Sequence, residues 1–249
     1  MKYALMIVLF FAFGCVEQTA LDNMKTISSK PDNNEITAGL KEALKTGVLA
    51  ASSELSASGG YYKNEAYKIL LPPEASDIIS NISKIPGGQK MVDDVVLRLN
   101  SAAESAAKKS APIFTDAITK MTLQDAMGIL SGGENAATNY LKQTTSLELK
   151  NAYRPEIEKA LTEPLVAGIS AQDSWGLLST NYNKVAQSLV GKLSGMDVMD
   201  TTLDEYVLDE ATNALFSRIG IEEAKIRKNP LAYTSSIIKK VFSYGQTLK

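Results

Sequence analysis

Asn100, Glu104 and Lys108 follow one another at intervals of four, the spacing that stacks side chains along one face of a helix. An amide, a carboxylate and an amine in one row can support acid–base chemistry, line a polar groove, or form a buried network that fixes helix register. Ala103 and Ala107 beside them are small enough to let a neighbouring helix approach. Asp116 and Asp125 come next, each continued by alanine and an apolar residue, and Thr138 and Tyr140 follow. These seven residues are the candidate contacts for a ligand or partner. As a catalytic set they reduce to two carboxylates, Glu104 and Asp125, acting as acid and base of a hydrolase. That scheme needs the carboxyl groups roughly 5 to 10 Å apart in a cleft, with one pKa raised. The plainer account of the row is structural, because Glu104 and Lys108 also make an ordinary i,i+4 pair.

Absences narrow the chemistry further. The chain has no histidine, which removes Ser-His-Asp and Cys-His nucleophiles, histidine bases and histidine-ligated metals. Ser105 with Lys108 and Ser236 with Lys239 match the S-x-x-K of penicillin-binding enzymes, and Lys45-Thr46-Gly47 spells their K-T-G. Among 23 serines and 22 lysines, however, chance supplies about two such spacings; the K-T-G precedes both, and S-D-N is absent. No Walker loop, dinucleotide fingerprint or EF-hand occurs, and Asp197, Asp200, Asp204 and Asp209 are spaced wrongly for a calcium loop. The pairs Gly59-Gly60, Gly87-Gly88 and Gly132-Gly133 suit anion-binding nests less well than helix termination. No metal and no cofactor are expected.

Cys15, the only cysteine, follows Lys2, an apolar run over residues 3–13, and Gly14. That is the order of a charged n-region, an h-region and a small-residue cleavage site, so residues 1–14 read as a signal peptide. The cysteine then becomes a lipid-bearing N-terminus. Ordinary secretory cleavage after Ala12-Phe13-Gly14 competes with this. An uncleaved anchor is disfavoured, because the run falls short of the roughly twenty residues that span hydrocarbon. Polar residues up to Asn34 form a tether, and residues 35–249 form one domain. The expectation is a lipoprotein of the cell envelope, held at the outer membrane and facing the periplasm, since Val16 is not the aspartate that often retains such proteins at an inner membrane.

Cleavage would leave 25 basic and 28 acidic residues, a charge of −3, which gives no electrostatic reason to expect nucleic acid. Residues 221–249 hold Lys225, Arg227, Lys228, Lys239, Lys240 and Lys249 against Glu222 and Glu223. These are solvated cations at helix ends, or a surface for anionic headgroups.

The elements that must position these groups read as helix after helix. Ile36, Leu40, Ala43, Leu44, Val48 and Leu55 keep helical spacing until Gly59-Gly60. A Tyr-rich link leads to an extended stretch ending at Pro72-Pro73, then a short helix through Ile78, Ile79 and Ile82, ended by Pro86-Gly87-Gly88. A long helix is predicted from about 89 to 110, and another after Pro112. Thr122 with Asp125 resembles a capping box, and Thr202 with Glu205 repeats it. A helix bearing Ala137, Tyr140 and Leu141 follows Gly132-Gly133, and Gly220 is placed to end the helix begun at Leu203. Trp175, Leu178, Tyr182, Val185 and Leu189 form an apolar seam read as core. Ile237, Ile238, Val241 and Phe242 mark a last amphipathic segment. With almost no period-two alternation, the class is all-α, a multi-helix bundle-like single domain.

Asn100-Ser-Ala-Ala-Glu104, Ala111-Pro-Ile-Phe114 to Asp116-Ala-Ile118, Met121-Thr-Leu-Gln-Asp125-Ala and Ile129-Leu-Ser-Gly132-Gly-Glu-Asn-Ala-Ala-Thr138 resemble the bacterial domain-of-unknown-function 4197 family. Leu70-Leu71-Pro72-Pro73 and Glu223-Ala-Lys-Ile-Arg227-Lys-Asn-Pro230 fit it as well. The resemblance implies an exported, mainly helical protein without an established activity, and it supplies no catalytic residue. The function expected is therefore binding, of a partner protein or a small apolar ligand, by a protein held at a membrane through its N-terminal lipid; the alternative is the carboxylate hydrolase.

Overall fold

The computed structural model describes residues 30–76, 79–80, 86–165 and 168–248. The expected signal peptide, Cys15 and the tether up to residue 29 lie outside the described residues, as do Ile78, Ile82 and Lys249. Helix α1 (Asn33–Ser56) opens on a reciprocal cap: Glu35 N–H donates to Asp32 Oδ1 at 2.8 Å, and Asp32 N–H donates to Glu35 Oε2 at 2.9 Å. Two orphan amides are satisfied at once, so Asn33 and Asn34 are already helical where a tether was expected. The chain then runs through a 3-10 turn (Pro73–Ala75), α2 (Gly88–Ala107), α3 (Ser110–Lys120), α4 (Leu123–Ser131) and α5 (Ala136–Thr162). After these come α6 (Ala171–Ala186), α7 (Leu189–Leu193), α8 (Leu203–Lys228), a second 3-10 turn (Pro230–Ala232) and α9 (Ser236–Gln246). Among the described residues there is no strand, and Pro164 and Ser170 make an isolated bridge. The all-α class is observed.

Helix α1 is central, packed by α2, α3, α4, α8 and α9, while α5 packs across α2, α3 and α8. Its buried stripe of Ile36, Leu40, Ala43, Leu44, Val48, Ala51 and Leu55 has the i, i+3, i+4 spacing of a one-sided apolar helix. Each fully buried aliphatic or aromatic side chain there contributes about 1.5 to 3 kcal/mol relative to exposure. Gly39 is required by a close approach: a Cβ at that position would stand 2.7 Å from Val241 Cγ2 on α9. Phe114 and Phe216 meet edge to face, centroids 5.9 Å apart, joining α3 to α8.

Several boundaries differ from the sequence reading. Helix α8 runs straight through Gly220 to Lys228. The glycine lies within the helix and does not end it, and a Cβ there would meet Asn135 and Thr138 only at ordinary contact distance. Thr202 precedes α8 but makes no side-chain cap bond, and the Glu205 carboxylate that would complete the box accepts from Arg154 Nη2 at 2.7 Å instead. The long helix expected to 110 breaks at Lys108–Lys109, and α3 starts at Ser110, two residues before Pro112. The helix expected to bear Ala137, Tyr140 and Leu141 is observed as α5, which extends on to Thr162. Ala137, Leu141, Thr145, Leu149, Tyr153, Ile157 and Leu161 recur on its buried side every fourth residue, a periodicity legible in the sequence.

The seam, which runs along α6 and reaches the first residue of α7, is only partly core. Trp175 is buried, Leu178 and Tyr182 are half-buried, and Val185 and Leu189 are 53% and 76% exposed. Among the described residues no helix covers that end of the stripe.

Candidate functional site

The groups singled out by residue type are mostly committed to holding the fold. Asn100 is completely buried; its Oδ1 accepts the Ile69 N–H at 2.9 Å, and its Nδ2 donates to the Ile69 and Val96 carbonyls at 2.7 Å each. Glu104, one turn on, accepts the N–H groups of Tyr61 and Tyr62 at 3.3 Å each. Lys108 caps the end of α2 and is exposed. The row therefore splits: its first two members pin the Tyr-rich link to α2 through backbone bonds, and the third faces solvent, with no Glu104–Lys108 ion pair formed. Tyr61 adds to the pin, its hydroxyl donating to the Ala211 carbonyl at 2.9 Å, and burial pushes its pKa well up.

Asp116 pairs with Lys120 one turn later on the exposed face of α3. Asp125 closes the predicted capping box, accepting the Thr122 N–H at 2.9 Å while its own N–H donates to Thr122 Oγ1. The Thr122 backbone and hydroxyl bonds hold its carboxyl below the usual range, opposite in direction to the raised carboxyl of an acid catalyst. Tyr140 is half-buried against the core, and burial raises its pKa.

Thr138 belongs to a second cluster. Asn135 at the N-cap of α5 makes no side-chain cap bond. Glu223 of α8 supplies it instead: Ala137 N–H donates to Oε1 at 3.0 Å, and Thr138 N–H and Oγ1 donate to Oε2 at 2.8 Å each. Arg227 pairs with Glu223 through Nε at 2.8 Å and donates through Nη2 to the Ile129 carbonyl at 2.8 Å, at the end of α4. An anion thus sits at one helix N-terminus and a cation at the preceding helix C-terminus, the orientation that complements both dipoles. Both groups are nearly enclosed, with 4% and 10% of their side chains exposed. Lys240 is likewise turned inward, to Glu35 at 2.7 and 2.8 Å, so the basic C-terminal stretch is partly spent on internal pairs.

None of the seven candidate residues lines the large cavity. That cavity has a volume of about 610 Å³ and is walled by Val92 and Val95 of α2, Trp175, Leu178 and Tyr182 of α6, Leu71 and Ile79 of the link, Leu165 and Ile169 of the α5–α6 loop, and Leu203. The volume falls within the roughly 300 to 1,000 Å³ of small-molecule sites. Its origin lies in how α2 and α6 are used. The later half of α2 is packed into the core from Val96 onward, whereas Val92 and Val95 are only half covered; α6 changes in the same way after Trp175.

Two asparagines pin the non-helical walls. Asn100 holds Ile69, two residues before Leu71. Asn183 holds Met199 in the same manner: Met199 N–H donates to its Oδ1 at 2.7 Å, and its Nδ2 donates to the Met199 carbonyl at 2.9 Å. Trp175 Nε1 donates to the Thr201 carbonyl at 3.0 Å, so its indole is fixed with the ring against the cavity and the N–H satisfied. The polar lining is sparse. Lys90 and Asp94 pair with each other at 2.8 Å, Ser174 bonds the Ser170 carbonyl at 2.9 Å, and Asn181 is at the exposed rim.

A family model described as a protein of unknown function, DUF4197, matches residues 30–243. The chain belongs to the DUF4197 family. The whole cavity, both asparagine pins and the Glu223–Arg227 cluster lie inside the DUF4197 match. No solved structure matches the chain. The short motifs that resemble this family meet one another in space: Asn100 to Glu104 grips the link that ends at Leu70-Leu71-Pro72-Pro73, and Glu223 and Arg227 grip the junction from Ile129 to Thr138. Among the described residues no group of Cys, Asp or Glu is arranged to hold a metal ion, and no helix is long and apolar enough to cross a membrane.

Proposed function

We propose that this DUF4197 protein acts by binding a small apolar ligand in the cavity shared by α2 and α6. One observation carries the reading: a space of about 610 Å³ whose walls are aliphatic and aromatic, with Lys90, Asp94 and Ser174 of its sparse polar lining already paired within the protein. Such a wall offers desolvation of an apolar guest as its driving force and presents no paired nucleophile and base. Glu104 and Asp125 lie off the cavity, each held by backbone amides, so binding is preferred to carboxylate chemistry.

Trp175 is the only tryptophan and lies in the cavity wall, so it reports occupancy directly. Titration with palmitate, and separately with the neutral probe N-phenyl-1-naphthylamine, should change its emission saturably at one equivalent. Leu178→Asp, which places a charge in a half-exposed part of the wall, should weaken binding at least tenfold while the helical circular dichroism is kept. Non-saturable emission changes, or an unaffected Leu178→Asp variant, reject the cavity as the site.

We also propose that the chain works at the cell envelope, anchored by diacylglycerol on Cys15, with the domain facing the periplasm from the outer membrane. The support is the order Lys2, apolar run, Gly14, Cys15. Wild-type protein should label with palmitate in cells and Cys15→Ser should not. Soluble wild-type protein with a free Cys15 thiol would reject the anchor.

A further inference from the structure

The apolar stripe of α6 does not stop at the cavity. Leu178 and Tyr182 line it, and Val185 continues the same helical face into solvent. Beyond the turn, α7 adds Leu189, Val190 and Leu193, exposed by 76%, 70% and 80%. Leu177, 61% exposed, belongs both to this surface and to the cavity rim. An exposed apolar cluster on this scale marks an interaction site more often than ordinary surface.

The charges beside it select the partner. From residue 174 to 196 the chain carries Lys184 and Lys192 and no acid, and both lysines are exposed. The next acids are Asp173, in the first turn of α6 at the end away from the tip, and Asp197 and Asp200, on the return loop that Asn183 ties back through Met199. Apolar side chains on a helical tip with cations at their edge match the interface of an anionic bilayer: the leucines and valines enter the acyl boundary, and the ammonium groups remain at the phosphates.

We infer that the tip formed by the end of α6 and by α7 docks on an anionic lipid surface, with the cavity rim at Leu177 brought down to the membrane. The docking uses no cavity occupant; it draws on the ligand-binding reading only for its consequence, that an apolar guest passes between bilayer and cavity along the α6 stripe without crossing water. Because Trp175 titrations without vesicles test the cavity alone, failure of one reading is distinguishable from failure of the other.

The experiment uses the full chain with Cys15→Ser and a single new thiol, at Ser194→Cys on the tip or at Glu42→Cys on α1, labelled with an environment-sensitive dye. It is mixed with vesicles of phosphatidylglycerol and phosphatidylcholine, with and without lipid brominated on its acyl chains. The dye at 194 should shift to the blue and be quenched by the brominated lipid, whereas the dye at 42 should do neither. Lys184→Gln and Lys192→Gln should each weaken the shift about fivefold, and Leu189→Asp with Leu193→Asp should abolish it at unchanged helix content. The proposal is overturned if the dye at 194 stays aqueous while the chain sediments with vesicles. It is also overturned if the shift is equal on pure phosphatidylcholine. A shift that appears without vesicles and grows with protein concentration would mean that a second copy covers the tip, and would overturn it too.

Discussion

Asn100 grips both peptide groups of Ile69, 31 positions earlier in the chain, as a neighbouring strand would: its Oδ1 accepts the N–H and its Nδ2 donates to the carbonyl. Asn183 does the same to Met199 across 16 positions. A primary amide carries both a donor and an acceptor, so it satisfies an isolated extended residue completely where no strand is present to do so. The residues just after these two points, Leu71 and Leu203, are cavity walls. The two pins therefore determine the shape of the space between α2 and α6.

Asn100→Ala leaves the Ile69 amide and carbonyl buried without partners, and should cost about 2 to 3 kcal/mol. Asn100→Asp should be worse, because the carboxylate faces the Val96 and Ile69 carbonyls where the amide nitrogen was. Urea denaturation gives both values. An unchanged midpoint for Asn100→Ala would show that the link is held by something else.

Removing Glu223 strands Arg227 and uncaps α5. Glu223→Ala should lose about 3 to 5 kcal/mol, the usual effect of breaking one side of an enclosed ion pair. In a double-mutant cycle with Arg227→Met the second substitution should cost far less than it does alone. Additive losses would mean that the pair does not act as one unit.

The Lys240 hydrogen bond, followed by the Asp32 N–H, holds the Glu35 carboxyl below its ordinary range. A lowered folded-state pKa contributes stability above the unfolded value, about 4.3, and that contribution disappears as pH falls through the folded value. Wild type should thus melt higher than Glu35→Gln at neutral pH, and the two curves should converge on acidification below about pH 4. Glutamine keeps the capping-box bond to Asp32, so the difference isolates the charge pair. A gap that persists at low pH would place the effect elsewhere.

The tip and the cavity also show where reading from sequence stops. Helical periodicity identified the stripe from Trp175 to Val185 as one apolar face, although it ran on to Leu189, which begins α7, and composition suggested core. Periodicity reports which side of a helix is apolar; it is silent on whether another element covers that side. Here the first residue of the stripe is covered, the next two wall a cavity, and the last two meet solvent. The seven polar candidates fared similarly, since their types and spacing mark them as specific without saying whether they serve a ligand or the backbone.

The sequence by itself determined the all-α class, the turns at Gly59-Gly60 and Gly132-Gly133, and the Thr122–Asp125 cap, because each depends on bonds or conformations within a few residues. It also carried the family motifs. Only the tertiary structure decided that those motifs pair across the chain, that Glu223 caps a helix 86 residues away, and that α2 and α6 leave a cavity. Those outcomes depend on distances between residues remote in sequence, which chain closure and packing set together, and no local pattern encodes them.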